Sequence, residues 1–157
     1  MLRDLIVNAQ DAAIAGYTVT TAAATGMGVV ITDEDEKTVG LPQAETAVDV
    51  FVLQKARVPE GLNCARTDFS DYDPDFNTFA ADEQVVLHKY DIGERFAVDA
   101  FAAALTDSDK GKKVAVGTDG KWAVATGASK YVFYGMMNDN GHTLAKIKVV
   151  EDTTANS

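Results

Sequence analysis

The chain holds a single cysteine, Cys64, and two histidines, His88 and His142. One thiol cannot close an intrachain disulfide or supply a multi-cysteine metal site, and two imidazoles leave little for a zinc site or a proton relay. Proline is scarce at 3 of 157 residues, and tryptophan occurs once. No apolar run approaches the ~20 residues of a membrane-spanning helix. The opening stretch MLRDLIVNAQDAAIAG carries Arg3, Asp4 and Asp11 through it. It therefore lacks the charged-then-apolar order of a secretory signal. The reading is a chain made and kept in a cytoplasm, or leaving the cell without secretion.

Positive charge is also in deficit. Lys and Arg number 14 against 24 Asp and Glu, for a net charge of −10. Nucleic acids and anionic membranes are bound through a positive field that releases counterions, so this balance argues against both. The length suits one domain with a real core. Familiar catalytic signatures are missing: there is no Walker-type loop, dinucleotide fingerprint or serine elbow. Gly26-Met-Gly28 precedes a strand, the reverse of the strand-glycine-helix order that binds phosphate. Neither catalytic residues nor a cofactor or metal are expected.

What is present is β-patterned. Val85 to Tyr90 reads as a strand rich in β-branched and aromatic residues. Arg95 to Phe101 alternates, with Phe96, Val98 and Ala100 on one face and Arg95, Ala97, Asp99 and Phe101 on the other. Lys113–Gly117 and Trp122–Ala125 flank Asp119-Gly120, whose residue types fit a type I′ hairpin turn. That turn predicts Val116 opposite Ala123, Val114 opposite Ala125, and Gly117 opposite Trp122. Gly28–Thr32 and Thr46–Gln54 read as earlier strands, the second with Val48, Val50 and Val52 on one face. Lys130–Met136 and Thr143–Val150 close the pattern around the turn Asn138–Gly141. In the last strand Ala145, Ile147 and Val149 point inward and Lys146 and Lys148 outward, as on an edge strand that discourages foreign pairing. With no helix long enough for a parallel crossover, the expected fold is all-β. It is a small β-barrel or β-sandwich of about seven short antiparallel strands with an extended N-terminal arm.

Three segments divide the chain: residues 1–26 as the arm, 27–151 as the β domain and 152–157 as a disordered tail. Leu2, Leu5, Ile6, Ala9 and Ala13 lie at helical spacing, and the Thr/Ala-rich run to Gly26 reads as extended chain that lies along a partner. Residues 61–83 form a long acidic loop. Asp71, Asp73 and Asp75, with Asp82 further on, imitate a calcium loop poorly, because Phe76 stands where a glycine should and Pro74 stiffens the turn. The same carboxylates could serve as an acid and base pair only if held across a cleft. Cys64 and His88 could pair as nucleophile and base only if the fold joins them.

The run Gly93-Glu-Arg-Phe-Ala-Val-Asp-Ala-Phe101, followed by Gly111-Lys-Lys-Val-Ala-Val-Gly-Thr-Asp-Gly-Lys121, resembles the capsid decoration (cement) proteins of tailed bacteriophages. The layout before it, from Gly26-Met-Gly-Val-Val30 to Leu41-Pro42 and a valine-rich strand, is similar too. The resemblance implies a non-enzymatic virion protein on the outer capsid surface, stabilising the major capsid protein lattice. Its partners would be the major capsid protein and neighbouring decoration subunits, with no nucleic acid and no membrane. On that reading Leu2, Leu5 and Ile6 carry the arm's apolar capsid contacts. The alternative is a glycan- or host-surface-binding module using the 61–83 loop or Tyr131 and Tyr134, or another head or tail component.

Overall fold

The computed structural model describes residues 1–8, 13–55 and 72–156, the side chain of Asp75 excepted. The fold is all-β. In chain order the strands are β1 (Leu2–Ile6), β2 (Ile14–Val19), β3 (Ala23–Ala24), β4 (Gly28–Asp33), β5 (Thr38–Gly40) and β6 (Phe51–Gln54). A short helix α1 (Pro74–Asn77) precedes β7 (Thr78–Phe79), β8 (Gln84–His88) and β9 (Arg95–Val98). A 3-10 turn over Asp107–Asp109 leads to β10 (Lys113–Val116), β11 (Trp122–Val124), β12 (Tyr131–Asp139) and β13 (His142–Val149).

These strands make two bodies of sheet. One is six-stranded in the order β1-β9-β13-β12-β10-β11, and the other is a closed barrel, β2-β5-β4-β6-β8. β3 and β7 form a separate two-stranded ribbon. Closure leaves the barrel no free edge, so its backbone groups are paired around the ring. Each body has its own apolar interior. Val19, Val29, Val39, Leu53 and Leu87 fill the barrel. Phe96, Val98, Trp122, Tyr131, Phe133 and Ile147 line one face of the sheet, together with Val50 and Val52 from the barrel side.

The two bodies are joined at Gly26-Met27-Gly28. The Trp122 indole N–H donates to the Gly26 carbonyl at 3.2 Å, and the Gly28 amide donates to the Gly120 carbonyl at 2.9 Å. Only glycine fits here. A Cβ on Gly28 would lie 2.3 Å from a Val116 methyl, and one on Gly26, whose φ is +90°, would lie 2.6 Å from the Met1 carbonyl. Met1 itself is buried, with its ammonium on the Thr25 carbonyl and the Asp99 carboxylate.

Several expectations are corrected. At its described residues, 1–26 is not an arm, and no helix forms there. β1 pairs with β9 (Leu2 opposite Val98, Arg3 opposite Ala97), while β2 pairs with β5 and β8 inside the barrel. The apolar residues of this segment have sheet surfaces of their own to cover, which offsets the cost of ordering them. Residues 152–156 are not a disordered tail. Asn156 accepts from the Lys113 amide at 2.7 Å and donates to the Lys113 and Ala125 carbonyls, pinning the chain end across β10 and β11. Thr46–Gln54 is not one strand: Asp49 has φ +49°, and Val48 is 71% exposed while Val50 is buried.

Register is also corrected at one hairpin. Val116 lies opposite Trp122 and Val114 opposite Val124. The Gly120 amide bonds the Gly117 carbonyl at 3.0 Å, the Gly117 amide bonds the Lys121 carbonyl at 2.9 Å, and of Asp119 and Gly120 only Gly120 has positive φ. The loop therefore has three residues, closed by a left-handed glycine, instead of two. The one-residue shift puts Trp122 in the core with no exposed surface. The two-residue type occurs at Asn140-Gly141, both at positive φ, between Asp139 and His142. β13 is not an edge strand either; it lies between β9 and β12.

Gly28→Ala is expected to destabilise the fold by about 1–3 kcal/mol, since the added methyl must displace a fully buried Val116. Denaturant unfolding monitored through Trp122 fluorescence measures this. A change within error of zero would show that the two bodies are not joined by close packing at this point.

Candidate docking surface

β1 is the outermost strand of the six-stranded sheet, paired on one side only among the described residues. Its register with β9 slips between Asp4 and Ile6. Leu2 stays inside at 6% exposure, and Asp4 accepts the buried Tyr90 hydroxyl at 2.5 Å. Beyond the slip, three consecutive apolar residues face water: Leu5 at 36%, Ile6 at 53% and Val7 at 43% exposure. A bulge of this kind disrupts simple alternation and re-aims side chains.

Glu94, itself buried, holds the end of this segment. Its carboxylate accepts from the Asn8 amide at 2.5 Å and from the Asp91 amide at 2.7 Å. That bridge brings the turn bearing Ile92, 65% exposed, beside the end of β1. The result is an apolar strip on the outermost strand of the sheet, paired only with β9 among the described residues. Such an edge is a template for another strand.

The expected contact residues separate accordingly. Leu5 and Ile6 lie on the strip. Leu2 does not: it packs in the sheet core with Phe96 and Val98, so its assignment as a contact is corrected. Sequence reasoning missed Val7 and Ile92. The signal was the unbroken Leu5-Ile6-Val7 run, which helical spacing dispersed and a strand edge collects.

Two clefts lie elsewhere and share the Asp49–Lys89 pair. One, of about 410 Å³, runs along Ile31, Asp33, Glu34 and Phe51; the other, of about 370 Å³, runs along Val48, Ser129 and Lys130. Lys89 Nζ sits 3.1 Å from Asp49 and 5.3 Å from the Phe51 ring centre. Both charges are well exposed, so the pair adds little stability. The Ser129 hydroxyl is engaged, donating to the Val114 carbonyl at 2.6 Å and accepting from the Tyr131 amide.

The other sequence candidates fare as follows. Cys64 and Asp71 lie outside the described residues, as does 61–71 of the acidic loop. Among the described residues no three His, Cys, Asp or Glu side chains gather to hold a metal ion. α1 occupies the middle of the imitation calcium loop, begun by Pro74. Tyr131, one of the aromatic residues considered for glycan stacking, is buried against Trp122 and Phe96, and burial pushes its hydroxyl pKa up. Tyr134 is half-buried, with Arg95 and Lys146 over its ring.

His88 has a conspicuous environment. Its Nε2 is buried with no hydrogen-bond partner among the described residues. Burial lowers its pKa below the ordinary 6.5, with the Asp4 carboxylate opposing the shift. Below pH 6.5 the unfolded chain therefore binds a proton that the folded chain resists. This contribution to stability is present above pH 6.5 and is lost as pH falls.

No protein-family model, no curated protein and no solved structure matches the chain.

His88→Gln is expected to flatten the stability-versus-pH curve below pH 6.5 relative to the parent chain. Chemical denaturation at a series of pH values reads it. Parallel curves for the two proteins would mean that His88 is protonated as easily in the fold as out of it.

Proposed function

We propose that the chain is a structural virion protein, without enzymatic activity, that binds the outer surface of a tailed-phage capsid and stabilises the major capsid protein lattice. The observation that carries this reading is the apolar edge of β1, Leu5-Ile6-Val7, flanked by Ile92 and paired on one side only among the described residues. It adds to the resemblance of Gly93–Phe101 and Gly111–Lys121 to decoration proteins.

The mechanism differs from an arm laid across a neighbour. A strand or loop of a lattice subunit adds to the β1 edge, where backbone hydrogen bonds give affinity and the exposed apolar side chains give fit. Because β1 is already ordered by β9 and by the buried Met1, little conformational entropy is lost on docking. Many copies bound across subunit seams would stabilise the assembled shell by mass action, since each binds the assembled lattice and not its separated parts. The net charge of −10 favours the outside of a shell over its DNA-facing lumen.

Co-sedimentation of the purified chain with empty, expanded capsids of its own phage tests the reading. The parent chain is expected to pellet with them, and Ile6→Glu to weaken binding by about tenfold or more, because a charge would be desolvated at the contact. Ile6 is exposed, so the variant should keep its thermal unfolding midpoint. A parent chain that stays in the supernatant sinks the lattice reading. A variant that binds as well as the parent sinks the assignment of the β1 edge.

A further inference from the structure

The outward lysines of β13 have no edge to protect, since β13 is flanked on both sides. Register shows what surrounds them. Lys148 stands opposite Arg95 on β9 and Val132 on β12, and Ile6 of β1 stands opposite Arg95. Lys146 lies one step along the same face, opposite Ala97 and Gly135. Tyr134, at the register slip of β12, is the centre of the group: the Arg95 guanidinium carbon is 5.6 Å from its ring centre and Lys146 Nζ 5.0 Å.

Two further cations on this face are neutralised within the chain. Arg3 pairs with Asp139 at 2.8 Å, and Lys113 reaches Asp152 at 3.4 Å. Arg95, Lys146 and Lys148 have no carboxylate within ion-pair distance among the described residues. Like charges directly opposite across a ladder, as Arg95 and Lys148 are, disfavour the fold.

We propose that the outer face of the six-stranded sheet is a docking site for an acidic polypeptide segment of another protein, held by Arg95, Lys146 and Lys148 around Tyr134. Charge complementarity selects this occupant. Along β13 the two lysines are two residues apart, about 6.6–6.8 Å, the spacing of alternate side chains on an extended strand. A segment with carboxylates at alternate positions therefore matches both, and Arg95, stacked on the ring, offers a planar fork to a third. Three cations are too few for nucleic acid, which is held at this charge balance only by many phosphate contacts working against a −10 body. A second copy brings the same −10, so self-association is opposed at long range. The inference goes beyond the β1 edge and stands without the lattice reading.

The test is titration of the isotope-labelled full chain with a short peptide alternating glutamate and threonine, followed by amide chemical shifts. Saturable shifts confined to Arg95, Tyr134, Lys146, Lys148 and their neighbours are expected. Binding should weaken about tenfold or more in high salt, and the matching glutamine peptide should not bind. Lys146→Gln/Lys148→Gln and Lys146→Glu/Lys148→Glu should each abolish it while keeping the dispersed spectrum of a folded protein. Having both pairs guards against one of them failing to fold. Absent or non-saturable shifts, or shifts elsewhere, overturn the proposal. So do tighter binding of a single-stranded oligonucleotide at this face, and concentration-dependent shifts there without peptide, which would instead indicate self-association. None of these outcomes depends on capsid co-sedimentation, so the two readings fail separately.

Discussion

The close approach at Gly26-Met27-Gly28 is the constraint on which the rest of the structure depends. A closed barrel and a six-stranded sheet each bury an apolar interior of their own, and their strand ladders are separate, with the Gly28 amide bonding across to the Gly120 carbonyl. They become one globule because the chain leaving β3 passes directly under the sheet. There, the Trp122 indole bonds the Gly26 carbonyl and Val116 sits against the bare Gly28 backbone. Val50 and Val52 then contribute to the sheet's core from the barrel side. Any side chain at Gly28 would force the two bodies apart, and the tryptophan would lose the acceptor for its buried N–H.

The same junction sets the first strand. Met1 is fixed by Thr25 and Asp99, and its carbonyl lies against Gly26, so β1 starts from a pinned end. Leu2 is committed inward, and Asp4, itself exposed, is held by the Tyr90 hydroxyl. The register slip that follows places Leu5, Ile6 and Val7 at the surface. An apolar strip on a sheet edge is costly to leave in water, and native proteins normally blunt such edges. Its persistence next to a well-anchored strand supports the proposed contact with a lattice subunit.

Charge is distributed unevenly over this frame. The four-residue acidic turn Asp33–Glu36 tips the barrel hairpin, whereas the sheet face away from the core gathers Arg95, Lys146 and Lys148 around one tyrosine. Net charge alone gives an acidic, soluble body and says nothing of this local reversal. The reversal arises because β9 and β13, distant in sequence, are neighbours in the sheet. The proposed docking would use both properties, long-range repulsion from nucleic acid and short-range attraction for carboxylates.

Composition and periodicity determined the all-β class, the strands around Val85, Phe96, Val114 and Ile147, and the inward and outward faces of β13. Those features follow from period-two alternation and turn residues, which act over a few positions. Tertiary structure alone decided the rest. The Asp119-Gly120 hairpin took a three-residue loop because a shift of one residue buries Trp122 instead of exposing it. Within residues 1–26, Leu2–Ile6 and Ile14–Val19 became strands because β9 and the barrel offered them sheet to join, which no local pattern records. Asn156 became an anchor because the ends of β10 and β11 presented it with the Lys113 amide and the Lys113 and Ala125 carbonyls side by side. Strand order, edge position and the meeting of Arg95 with Lys146 depend on contacts between residues far apart in the chain, and a sequence encodes those only through the packed core that brings them together.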